Sequence, residues 1–100
     1  MDLKHLARQQ GSFLIKKLLP NSPANLTAGT PTVTTVTLTW DAVSGASYRI
    51  YRNNTQIDTS ETNSYKATGL TTATTYDFEV TAVVNGDESV RSNKVTVTTE

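Results

Sequence analysis

The stretch Gly69–Val83, GLTTATTYDFEVTAV, decides the fold. From Tyr76 onward the residues alternate. Tyr76, Phe78, Val80 and Ala82 share one side, and Asp77, Glu79, Thr81 and Val83 share the other. Successive side chains of a strand point to opposite faces, so this is a long antiparallel strand with a dry face and a charged, wet face. Leu70 stands before it, separated from Tyr76 by a polar turn.

The same period extends outward in both directions. In TTVTLTW, Val36, Leu38 and Trp40 face one way, and Thr35, Thr37 and Thr39 the other. SYRIYR places Tyr48, Ile50 and Arg52 on one face and Arg49 and Tyr51 on the other, while KVTVTT turns Val95 and Val97 inward. Turn residues separate the runs: Ser44-Gly45-Ala46, Asn53-Asn54 and Asn85-Gly86. Pro20, Pro23 and Pro31 all precede the first strong strand, where the missing N–H costs no ladder bond. The expected strands are 24–29, 34–41, 47–52, 56–60, 64–68, 74–84 and 93–99. Short strands at this spacing specify an all-β sandwich.

These residues carry a resemblance. Residues 21–99 resemble a fibronectin type III domain of the bacterial and phage type. Pro23 and Leu26 match the lead-in to its first strand, and Trp40 its core tryptophan. YRIYRNNTQIDTSETNSYKATGL is similar to its third-strand region, and Leu70 with Tyr76 holds the spacing of its leucine and corner tyrosine. The resemblance implies a seven-stranded antiparallel Greek-key sandwich, immunoglobulin-like. It also implies a core containing Trp40, Tyr48, Leu70 and Tyr76, with the Tyr76 hydroxyl bonded to nearby backbone. Thr72 and Ala73 stand where many members carry Pro-Gly, a difference of turn stiffness more than of fold.

Composition excludes several chemistries. The chain has 100 residues, no cysteine and one histidine, His5, so neither a thiolate, a catalytic triad nor a three-histidine metal site is available. Asp77 and Glu79 lie on a strand face expected to offer no cleft for acid–base work. No cofactor is expected, and no enzyme. In NGDES, Asn85 stands where an Arg-Gly-Asp adhesive loop would need arginine. The triplets Asn25-Leu26-Thr27 and Asn53-Asn54-Thr55 are read as chance glycosylation matches. One tyrosine beside one arginine makes no nucleic-acid groove, so no nucleic-acid partner is expected. Tyr51, with Arg49, remains a candidate glycan contact through ring stacking.

Ahead of the domain stands MDLKHLARQQGSFLIKKLLP, Met1–Pro20. It carries a net charge of +3, against −3 for residues 21–100. Its longest apolar runs, FLI and LL, are far short of the ~20 residues that span a bilayer, and Lys16 and Lys17 interrupt any secretory signal. On a helix, Leu3, Leu6, Ala7, Phe13, Leu14 and Leu18 form one apolar stripe. Gly11-Ser12 interrupts it and Pro20 ends it. Residues 1–20 are therefore expected to be an amphipathic helical anchoring arm, binding through Leu3, Leu6, Phe13, Leu14, Lys16, Lys17 and Leu18. A protein assembly (capsid or tail proteins, or copies of itself) is the expected partner, ahead of an acidic membrane surface. The chain reads as a complete small phage virion accessory protein, exposed on the virion surface and touching host glycans weakly. The alternative is a spacer or auxiliary module of an extracellular bacterial carbohydrate-active enzyme or surface protein.

Overall fold

The computed structural model describes residues 18–100. Eight strands occur among them: β1 (Thr27–Ala28), β2 (Val36–Thr39), β3 (Ser47–Arg52), β4 (Thr55–Ser60), β5 (Ser64–Ala67), β6 (Thr75–Val84), β7 (Asp87–Glu88) and β8 (Val95–Thr98). β1, β2 and β5 form one antiparallel sheet; β4, β3 and β6 form the other, with both β7 and β8 on the far side of β6. The fold is an antiparallel all-β sandwich, and the expected arm helix lies outside the described residues except for its last positions.

The eighth strand is a correction with a physical cause. The last expected strand, 93–99, is the second half of an interrupted one, and NGDES contributes the first half rather than only a loop. Between β7 and β8 the ladder is replaced by serines. Ser89 donates its amide to the Ala82 carbonyl and accepts the Ala82 amide on Oγ, at 2.8 and 2.9 Å. Ser92 repeats this with Val80, at 2.8 and 3.0 Å. Side-chain oxygens thus satisfy buried amides that a regular strand would have paired. The first strand starts later than expected: Asn25 takes a left-handed φ of 58°, and the Leu26 amide and carbonyl pair with the Asn93 side chain instead of a neighbouring strand.

The core lies between the sheets. Leu26, Val36, Leu38 and Trp40 meet Tyr48, Ile50, Phe78, Val80, Ala82 and Val97, with Ala67, Leu70 and Tyr76 completing it. Trp40 packs edge-on against Tyr48, with ring centroids 5.2 Å apart. Two tyrosines clasp backbone five residues upstream. Thr71 donates its amide to the Tyr76 hydroxyl and Val43 donates its amide to the Tyr48 hydroxyl, each at 2.8 Å. The second clasp repeats the first in the β2–β3 connection. Tyr48→Phe leaves the Val43 amide without its acceptor. We expect a loss of about 1–2 kcal/mol, measured by urea denaturation at unchanged slope.

The hairpin turns follow from residue type. Asn53 and Asn54 (φ 50° and 72°) and Asn85 and Gly86 (φ 51° and 83°) adopt the left-handed pairs that two-residue hairpins require. Ala73 also takes a left-handed φ, 52°, where glycine is the usual resident; a Cβ there costs about 1 kcal/mol.

Candidate interaction face

The outer face of the β4–β3–β6–β8 sheet carries six charged side chains, Arg49, Asp77, Glu79, Glu88, Arg91 and Lys94, and two ion pairs, Arg49–Glu88 and Arg91–Glu79. Its pairing sets the neighbours: Arg49 lies opposite Thr81, Tyr51 opposite Glu79, and Asp77 opposite Thr96. Glu88 on β7 reaches across this face. It accepts from Arg49 Nη1 at 2.8 Å, from Thr81 Oγ1 at 2.7 Å, and from the Tyr51 hydroxyl. Burial pushes the Glu88 pKa up, but the hydrogen bonds from Tyr51 and Thr81 and the charge of Arg49 outweigh it, holding it below the ordinary value of 4.5. The Glu88 hydrogen bond and burial raise the Tyr51 phenol.

Thr81 corrects the expectation of a uniformly wet face. It is 1% exposed, because Glu88 closes over its hydroxyl. Tyr51 and Arg49, the candidate glycan contacts, do lie together here, yet their own domain already engages both. Arg49 is paired with Glu88, and the Arg91 guanidinium stacks over the Tyr51 ring at 4.1 Å. The ring face under Arg91 is closed to a sugar. Arg91 also donates to Glu79 at 3.2 Å and to Asn54.

The face is not flat, which corrects the expectation of no cleft. Asn53 and Asn54 at the β3–β4 turn stand on one side and Lys94 on the other, with Asp77 and Glu79 between them, around a shallow cleft of about 350 Å³. Alternation alone exposes Asp77 and Glu79. That the Asn53–Asn54 turn and Lys94 flank them needs the register of β6 with both β3 and β8. No group of three metal-ligating side chains occurs among the described residues.

The remaining expected contacts belong to the arm. Leu3, Leu6, Phe13, Leu14, Lys16 and Lys17 lie outside the described residues. Leu18 and Leu19 are described, and are 89% and 52% exposed. The chain joins the domain beside the β2–β3 connection, where Asn21, Ser22 and Ala24 border Asp41, Val43 and Ser44. It leaves at the other end, where Glu100 bonds Thr32 and Ala73.

Comparison with known proteins agrees with this geometry. The family model described as "Fibronectin type III domain" matches residues 21–98. The chain is 43% identical over 88 residues to Exoglucanase B of Cellulomonas fimi, covering 81% of this chain and 8% of that one. It is 45% identical over 83 residues to the tail tube protein gp17.1* of Bacillus phage SPP1, covering 80% of this chain and 31% of that one. The chain thus spans less than a third of the length of either relative. A solved Fn3-like protein from Clostridium thermocellum superposes with a TM-score of 0.71 at 34% identity, over 79% of this chain and 92% of that one. With the sandwich, the tyrosine clasp and the family match in agreement, the chain belongs to the fibronectin type III family through residues 21–98.

Proposed function

We propose that this protein is a non-enzymatic interaction module, anchored through residues 1–20 and displaying its sandwich outward. The observation that carries the reading is the pair Leu18–Leu19. Both leucines stand in solvent where the chain departs from a domain whose core is already complete. Two adjacent exposed leucines at a domain boundary offer apolar surface that a partner could cover. In the reading we favour, that surface is a phage particle, with the protein as a capsid-decoration or tail-associated component; the similarity to a segment of a tail tube protein supports it. Many copies on one particle would turn weak outward contacts into useful avidity.

A second reading rests on a different observation. The chain enters the sandwich at one end and leaves it at the other. Such a domain separates whatever precedes it from whatever follows, as a spacer in an extracellular carbohydrate-active enzyme would, and the similarity to Exoglucanase B supports this.

Comparing residues 1–100 with residues 21–100 tests the anchor. We expect the longer chain to co-sediment with phage particles or to self-associate in analytical ultracentrifugation, and the shorter one to remain monomeric and unbound. Their melting temperatures should agree within a few degrees, because the buried residues among those described, from Pro23 on, all lie within residues 21–100. Equal mass and equal association for the two chains would end the anchor hypothesis.

A further inference from the structure

The cleft on the outer sheet face has an unusual division of its polar atoms. Its side chains are each held by one atom and left open at another, Lys94 apart. Asn53 Oδ1 accepts the Asp77 amide at 2.9 Å, and Asp77 Oδ1 accepts the Thr96 hydroxyl at 2.7 Å. Asn54 Oδ1 and Glu79 Oε1 both accept from Arg91. Among the described residues, the Asn53 and Asn54 Nδ2 groups, Asp77 Oδ2, Glu79 Oε2 and the Lys94 amine then carry no hydrogen bond. The five residues that carry these atoms line one shallow volume of about 350 Å³.

The charge pattern narrows the ligand. Two carboxylates repel an anion, and Lys94 with the neighbouring Arg91 disfavours a bare metal ion. What remains is a set of open donors beside open acceptors. A hydroxyl group donates one hydrogen bond and accepts others, so a polyol satisfies both kinds at once. Because four of the side chains are already oriented by bonds to the domain, binding loses less side-chain freedom than at a floppy surface. The volume lies near the lower end of small-molecule sites and suits about one or two sugar rings.

The geometry points to a binding site for a neutral, hydroxyl-rich ligand, a short stretch of oligosaccharide, between the Asn53–Asn54 turn and Lys94 and over Asp77 and Glu79. It lies beside the Tyr51–Arg49 pair rather than on it. The site stands whether or not residues 1–20 act as an anchor.

The test is a titration of the full ¹⁵N-labelled chain with cellopentaose, chitopentaose and maltopentaose, followed by amide chemical shifts. At least one of the three should move the Asn53, Asn54, Asp77, Glu79 and Lys94 amides together, saturating at millimolar concentration. Lys94→Ala and Asp77→Ala should each weaken that binding about fivefold, the effect of losing one hydrogen bond. Thr37→Ala, on the opposite sheet, should leave it unchanged. Lys94 is exposed, so an unaltered melting temperature for Lys94→Ala shows that the loss is not unfolding. Silence from all three sugars overturns the proposal. So do shifts centred on another surface, or undiminished affinity in both cleft variants.

Discussion

Phe78→Ala should destabilise the domain by about 3–5 kcal/mol, among the largest effects expected of a single truncation. Phe78 is fully buried in the middle of β6, between Tyr76 and Val80 on the dry face. Its ring meets that of Tyr76 with centroids 6.2 Å apart, and its backbone pairs with Arg52 on one side and Val95 on the other. Strands held on both sides close poorly over a void, so the cavity term adds to the lost transfer energy. A domain of this size has roughly 5–10 kcal/mol in hand, so the variant should sit near its unfolding threshold. The melting temperature should fall by about 15–25 °C in a calorimetric scan. Phe78→Leu, which keeps most of the volume, should lose less than half as much. Equal loss from the two substitutions would mean that the aromatic contact with Tyr76, rather than the filled volume, dominates.

Glu88→Ala should cost about 2–3 kcal/mol, although Glu88 looks like an ordinary loop acid. Removing its carboxylate strips the acceptor from the Thr81 hydroxyl, which is buried and reached by no other acceptor among the described residues. It also frees Arg49 and the Tyr51 hydroxyl. Glu88→Gln keeps one oxygen acceptor and should lose less. The same carboxylate sets part of the acid response. Its folded pKa lies below the ordinary 4.5, so its stabilisation is complete above that value. The contribution disappears as pH falls through 4.5 toward the lower folded pKa, where the unfolded chain takes up the proton first. Thermal melts between pH 3 and 7 should therefore show a shallower acid decline for Glu88→Ala than for the unaltered chain. Parallel curves would place the acid sensitivity elsewhere; Asp58 is a second acid held low, by the Thr59 amide and the Tyr65 hydroxyl.

These two sites mark the limits of sequence reading for this chain. Phe78 was legible as core from Tyr76, Val80 and Ala82 alone. Glu88 was not, because neither its neighbours nor its spacing signals that it will cross β6 to reach Arg49, far away in sequence. Tyr51 was legible as an outer-face residue, but the guanidinium that covers its ring comes from Arg91. The six arm contacts from Leu3 to Lys17 lie outside the described residues, and only Leu18 of that set can be placed.

What the sequence determined by itself was local. Alternation assigned the dry faces, because side chains flip sides at every residue of a strand. Asparagine and glycine marked the hairpin turns, because they tolerate positive φ. What only the tertiary structure decided was which parts of the wet face stay wet. The pairing of β6 with β3 on one side and with β7 and β8 on the other buries Thr81, closes one side of Tyr51 and opens the cleft over Asp77 and Glu79. Register between strands is a property of distant segments, set when the core closes, and no local pattern within one strand contains it.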